Sequence, residues 1–157
     1  MVGRLKRQIT RLRHRRGHGV HSPYIYNIVR EVFMRRAPIS APTPLYEALI
    51  SLGVRSRRAR ELENLRHHCG LSTFGVNTME PLDMVICSVD ASTERIMQIT
   101  KSGEQSGTTV VILQPHLNGS RGEMCDAIVA NHQSTSVNRL GYLIIFNNHL
   151  PKQHFTL

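Results

Sequence analysis

Few residues in this chain have the type and spacing to do chemistry. The densest group is Arg16-Gly17-His18-Gly19-Val20-His21-Ser22-Pro23, where two imidazoles lie three residues apart and His14 is close by. A metal cage built from histidines also needs a carboxylate or thiolate at ligating distance, and this stretch has neither. A capping turn that leads into a helix is the stronger reading, with an anion contact as its rival. His67-His68-Cys69 is weaker still, because adjacent residues on a helix point apart. Cys87 lies inside an apolar run, where a thiol usually serves as a small hydrophobe. No metal ligand set and no catalytic residue is assigned from these groups.

The other chemically pointed feature is charge. The chain has 157 residues and a formal net charge of +9. Residues 1–66 carry 15 of the 20 Lys and Arg against four acids, while residues 67–157 carry five against seven. The front is therefore strongly basic and the back slightly acidic. Arg4, Lys6, Arg7, Arg11, Arg13, Arg15 and Arg16 are concentrated in RLKRQITRLRHRR, whose Leu5, Ile9 and Leu12 recur at helical spacing. Such a segment suits an anionic partner, either nucleic acid or an acidic protein surface, with a solvated charged face as the bland alternative. Aromatic interleaving for base stacking is absent before Tyr24, so nucleic-acid contact by this arm would be backbone-driven and salt-sensitive.

Elements of recognisable period position these groups. Ser22 caps and Pro23 opens a helix whose buried stripe is Ile25, Ile28, Val29, Val32 and Phe33. Pro38, Pro42 and Pro44 mark a loop. A second helical region begins near Thr43 with Leu45, Leu49, Ile50 and Leu52 on its apolar face. After Gly53 the pattern resumes as SRRARELENLRHH, with Leu62 and Leu65 inward, the arginines toward water and Cys69-Gly70 as its close. The period then shortens. Strands are predicted at 71–76, 82–88, 108–113, 134–139 and 140–146, with a last short one at 154–157, and helices at 90–104 and 120–132. The near-continuous apolar runs LDMVICS and TTVVIL are those of strands covered on both faces. Alternation of this kind predicts an α/β fold with a largely parallel sheet, in which 82–88 and 108–113 are neighbours and 71–76 lies on the far side of 82–88. The C-terminal strands should add antiparallel pairing at one edge. The domain reading is a basic helical extension at 1–42 and an α/β domain at 43–157.

No segment reaches the roughly 20 apolar residues of a membrane span, and no apolar region follows the basic N-terminus as a secretory signal requires. Three unpaired-looking cysteines, Cys69, Cys87 and Cys125, then fit a reducing, cytoplasmic setting.

RGHGVHSPYIYNIV (Arg16–Val29) resembles the opening of a bacterial group of S-adenosylmethionine-dependent methyltransferase-like proteins that carry a Gly-x-His-Ser-Pro-aromatic stretch. Residues 120–157, through SVNRLGYLIIF to the Lys152-Gln153-His154-Phe155 ending, resemble the closing helix and strands of that family. LDMVICS resembles its fourth strand and TTVVILQPHL its fifth with the following loop. The resemblance implies a Rossmann-like sheet with a cofactor crevice at its carboxyl edge, here truncated. The glycine-rich turn and the acid that would hold the cofactor's ribose are missing between Pro44 and Ser56. Ser88 stands where the family places an acid, and Gln114-Pro115 where it often has paired acids. Ser88, Asp90, Gln114 and His116 are what remains of a candidate cleft. The resemblance therefore implies a degenerate protein that binds rather than methylates and needs no cofactor. The rivals are an active enzyme that takes S-adenosylmethionine in an atypical site, and a structural subunit whose sheet is completed by another chain. In either case the edge vacated beside 71–76 should be covered by the N-terminal helices or paired with a second copy in a homodimer.

Overall fold

The computed structural model describes residues 20–157, which form two compact units. One runs to Ser72 and includes Leu157; the other is Thr73–Thr156. The boundary falls after the second helical region, downstream of the proline-rich loop.

The first unit is helical. Helix α1 (Pro23–Ile28) continues without a break as a π-helical turn, Val29–Phe33. Ser22 caps it by accepting from the Ile25 N–H at 3.4 Å, and Pro23 fixes the first helical φ, as the sequence predicts. All five residues of the predicted stripe are buried. Helix α2 (Pro44–Ser51) buries Leu45 and Leu49. Ile50, expected on its apolar face, is instead exposed, since 45 and 49 are one turn apart and 50 lies about 100° further round.

Helix α3 (Ser56–His68) departs more from expectation. Leu62 and Leu65 are buried as predicted, but so are Glu61, Glu63, Asn64 and Arg66. Arg66 does not face water: it pairs with Glu63 at 2.7 Å and donates to the Leu71 carbonyl. The second Glu63 oxygen accepts the Tyr46 N–H at 2.8 Å, near the start of α2. Asn64 spans the proline-rich loop, donating to the Ala37 carbonyl and accepting from the Ile39 N–H, both at 2.9 Å. Polar side chains can be this buried because each meets a partner of opposite role.

The second unit is a six-stranded mixed sheet with two helices, and it gives the chain its α/β character. Its strands are β1 (Phe74–Val76), β2 (Met84–Cys87), β3 (Thr109–Leu113), β4 (Thr135–Arg139), β5 (Tyr142–Ile145) and β6 (Gln153–Thr156), in the order β1-β2-β3-β5-β4-β6. Helix α4 (Thr93–Ser106) joins β2 to β3, and α5 (Gly119–Asn131) joins β3 to β4. β1, β2 and β3 are mutually parallel, as is β4 with β6; β5 runs antiparallel to both its neighbours. The expected neighbours β2 and β3 therefore pair, and the first strand flanks β2, although it is only three residues long. The antiparallel pairs do not form the sheet edge as expected. β6, from the Gln-His-Phe ending, lies outside them.

Val85, Cys87, Val110, Ile112, Leu143 and Ile145 form one face, on which α4 and α5 place Ile96, Ile99, Cys125 and Ile128. The alternate residues Met84, Ile86, Val111 and Ile144 point to the other face and are equally withdrawn from water, which explains the continuous apolar runs.

Candidate functional site

Because β1, β2 and β3 are parallel, their carboxyl ends lie together at one end of the sheet, the place where open α/β folds bind ligands. Asn77, Ser88 and Gln114 follow directly on these strands. Two of them, Asn77 and Gln114, have left-handed backbones (φ 51° and 47°). That conformation is several-fold more common for Asn than for most residues and unfavourable for Gln.

Ser88 is buried and already engaged. Its N–H donates to Asn77 Oδ1 at 2.9 Å, and its hydroxyl accepts from Asn77 Nδ2 at 2.8 Å. The Ser88 hydroxyl, a member of the sequence-derived cleft, is thus committed to holding β1 against β2.

The centre of this region is occupied by a side chain that the sequence reading passed over. Arg121, only 3% exposed, comes from the first turn of α5 and lays its guanidinium across four backbone carbonyls. Nε donates to Gln114 at 3.1 Å and Nη1 to Ala91 at 3.2 Å. Nη2 donates to Ser88 at 2.9 Å and to Leu113 at 2.6 Å. These oxygens belong to the ends of β2 and β3 and to the loops beyond them. A rigid planar fork can serve several fixed acceptors at once, which an ammonium cannot.

Arg95 repeats the arrangement one strand over. From the first turn of α4 it donates through Nε and Nη2 to the Asn77 carbonyl, at 3.3 and 3.2 Å. Each arginine sits three residues after an N-cap that accepts its own N–H: Ser92 for Arg95 at 3.1 Å, and Asn118 for Arg121 at 2.9 Å. A cation near a helix N-terminus opposes the helix dipole, so it needs compensation; the strand-end carbonyls supply it. The legible signal was a cap residue followed three positions later by Arg, where a capping box would place Glu or Gln.

The other cleft residues remain at the surface. Asp90 and His116 are exposed, as is Gln114, and His116 Nε2 lies 3.4 Å from Asn138 Nδ2 at the carboxyl end of β4. The structure thus joins Ser88 and Gln114 through Arg121 and leaves Asp90 and His116 on the rim. Among the described residues no group of three or more His, Cys, Asp and Glu could hold a metal ion. Arg4, Lys6, Arg7, Arg11, Arg13, Arg15 and Arg16 lie outside the described residues, as do His14 and His18.

Burial favours the protonated form of all three thiols. Burial pushes Cys87 up to about 12 and Cys125 to about 11, despite the nearby Arg121 charge that favours both thiolates. Burial likewise raises Cys69, which lies 3.6 Å from the Tyr24 hydroxyl.

A second polar cluster joins β4 to β6. His132, 1% exposed, accepts the Ser134 N–H at Nδ1 (3.1 Å), which leaves the ring proton on Nε2, facing the Ser136 hydroxyl at 2.9 Å. Ser136 Oγ in turn lies 2.7 Å from His154 Nδ1. Burial, then the Lys152 and His154 charges, lower His132 from 6.5 to about 4. The serine is fully buried, so this contact is a brace and offers no nucleophile to a substrate.

No helix among the described residues is long and apolar enough to cross a membrane. No family model, no curated protein and no solved structure matches this chain.

Proposed function

We propose that this chain is a degenerate methyltransferase-like protein with a truncated Rossmann-like sheet, one that no longer catalyses methyl transfer and acts by binding, with nucleic acid as the partner of its basic N-terminal segment. The observation that carries this reading is Arg121. Its guanidinium occupies the carboxyl ends of β2 and β3, the strands that resemble the family's fourth and fifth, and satisfies carbonyls that would line the cofactor crevice. Ser88 is similarly consumed by Asn77. β1 stands beside β2, in the place of the fold's first strand, yet it ends in Val76-Asn77 without a glycine-rich turn, and the acid that would close the second strand and receive two ribose hydroxyls is missing between Pro44 and Ser56. Hydrogen bonds to a charged group are worth roughly 1.5–3 kcal/mol each, so losing that pair costs about two to four powers of ten in affinity.

Isothermal titration of concentrated protein with S-adenosylmethionine tests the loss of the cofactor site directly. The expected result is no binding heat. A micromolar dissociation constant would show that a working site has been rebuilt around Arg121, and the non-catalytic reading would fall.

A further inference from the structure

Helix α1 and its π-helical continuation carry surface residues that the capping and core roles leave unused. Five of their residues point inward, while Tyr26 and Met34 stand out as large side chains each 43% exposed. Arg30, four residues after Tyr26 and on the same side of the helix, is exposed, as are Arg35 and Arg36 just past the helix end. The Tyr26 ring is open to solvent over part of its surface, and the flanking guanidinium makes that surface cationic.

The acids of the first unit reinforce that bias. Glu61 is buried against Arg58 at 2.8 Å and Arg57 at 3.6 Å, and Glu63 against Arg66 at 2.7 Å. Only Glu31 and Glu47 remain as exposed acids among residues 20–72, against exposed Arg30, Arg35, Arg36, Arg55 and Arg57. The unit therefore presents arginine to solvent while hiding half of its described carboxylates.

We propose that Tyr26 with Arg30 forms a stacking platform for single-stranded nucleic acid: the phenol ring takes the face of an unpaired base, and Arg30, Arg35 and Arg36 take the adjoining phosphates. The inference rests on the nucleic-acid reading above and adds to it a described surface and a preference for unpaired strands. A duplex keeps its base faces stacked inside, so only a single strand can use an exposed ring in this way. A purely acidic protein or polysaccharide would engage the arginines and ignore the tyrosine.

The test uses the full chain in four forms: the natural sequence, Tyr26→Ala, Tyr26→Phe and Arg30→Gln. Each is titrated by fluorescence anisotropy with labelled oligouridine, labelled oligothymidine, the matching duplexes and heparin. Tyr26→Ala should weaken both single strands about tenfold, the scale of one lost base stack, and leave heparin unchanged. Tyr26→Phe should keep the affinity. Arg30→Gln should weaken every polyanion and lower the magnitude of the salt slope by about one. Oligouridine and oligothymidine together decide whether RNA, DNA or both are taken. The chain has four tyrosines and no tryptophan, so its own emission is tyrosine emission; quenching by oligouridine should shrink in Tyr26→Phe, an independent readout if Tyr26→Ala fails to fold.

Equal affinity of natural and Tyr26→Ala proteins for single strands overturns the platform and leaves the N-terminal arm as the contact. Unchanged quenching in Tyr26→Phe does the same. Absence of any oligonucleotide binding by the natural chain at low salt overturns both the platform and the nucleic-acid part of the proposed function.

Discussion

Arg121 is the residue whose replacement should tell most. A buried guanidinium with four carbonyl acceptors contributes through hydrogen bonds that no isosteric apolar side chain can supply. Replacing it with Met leaves those oxygens without a donor at a cost of roughly 1–3 kcal/mol for each one that water cannot reach. Arg121→Met should therefore lose at least about 3 kcal/mol, and Arg121→Lys about half as much, because an ammonium cannot reach all four acceptors. Urea unfolding with the slope held constant measures both. A loss under about 0.5 kcal/mol for Arg121→Met would match an ordinary surface substitution and refute the role. His132 makes a pH prediction. Its folded pKa is lowered from 6.5 to about 4, so the unfolded chain takes up a proton first as pH falls. Stability from this group is complete above pH 6.5, declines between 6.5 and about 4, and changes no further below that. The melting temperature should fall across this window, with a shallower fall in His132→Gln; identical slopes would show that the imidazole is not the titrating group.

At the scale of elements, the packing of α4 on β3 depends on one residue without a side chain. A Cβ on Gly103 would meet Val110 Cγ2 at 2.8 Å, Asn147 Nδ2 at 3.2 Å and the Thr108 carbonyl at 3.3 Å. Two of these neighbours are fixed to each other, Asn147 Nδ2 donating to the Thr108 carbonyl at 2.7 Å. Gly103→Ala, helpful in an exposed helix, should instead cost about 1–3 kcal/mol by overpacking. Circular dichroism melting checks the sign, and a stabilised variant would show that α4 can shift outward. The same α4 illustrates what periodicity conveys. Ile96 and Ile99 sit inward as their spacing implies, while Met97, between them, is exposed.

For the whole molecule the governing property is the division of charge. Fifteen of the 20 Lys and Arg lie in the first 66 residues, so association with a polyanion should be dominated by counterion release. Binding of single-stranded RNA should be measurable at low ionic strength and fall steeply as salt is raised. Removal of residues 1–16, which carry seven of these cations, should remove most of that salt-dependent affinity while the circular dichroism spectrum keeps its α/β form. Undiminished binding after truncation would return the arm to the role of a solvated face.

The sequence by itself determined much of the local structure. The Ser22-Pro23 start of α1 and its five-residue stripe, the buried β2 and β3 runs and the helices between the strands all follow from capping and period, which are local effects of backbone sterics and side-chain burial. Tertiary structure alone decided that Glu61, Glu63 and Arg66 are buried: their ion-pair partners are local to α3, but what withdraws that face from water is packing against other segments, as where the Tyr46 N–H of α2 reaches Glu63. It decided that β6 lies outside the antiparallel pairs, because strand order is a matter of long-range pairing that period-two alternation does not encode. And it decided what fills the carboxyl ends of β2 and β3: Arg121 is seven residues beyond Gln114 in the chain and reads there as one more charge near a helix start, until the folding of α5 back onto the sheet carries its guanidinium to the carbonyls of Ser88 and Ala91.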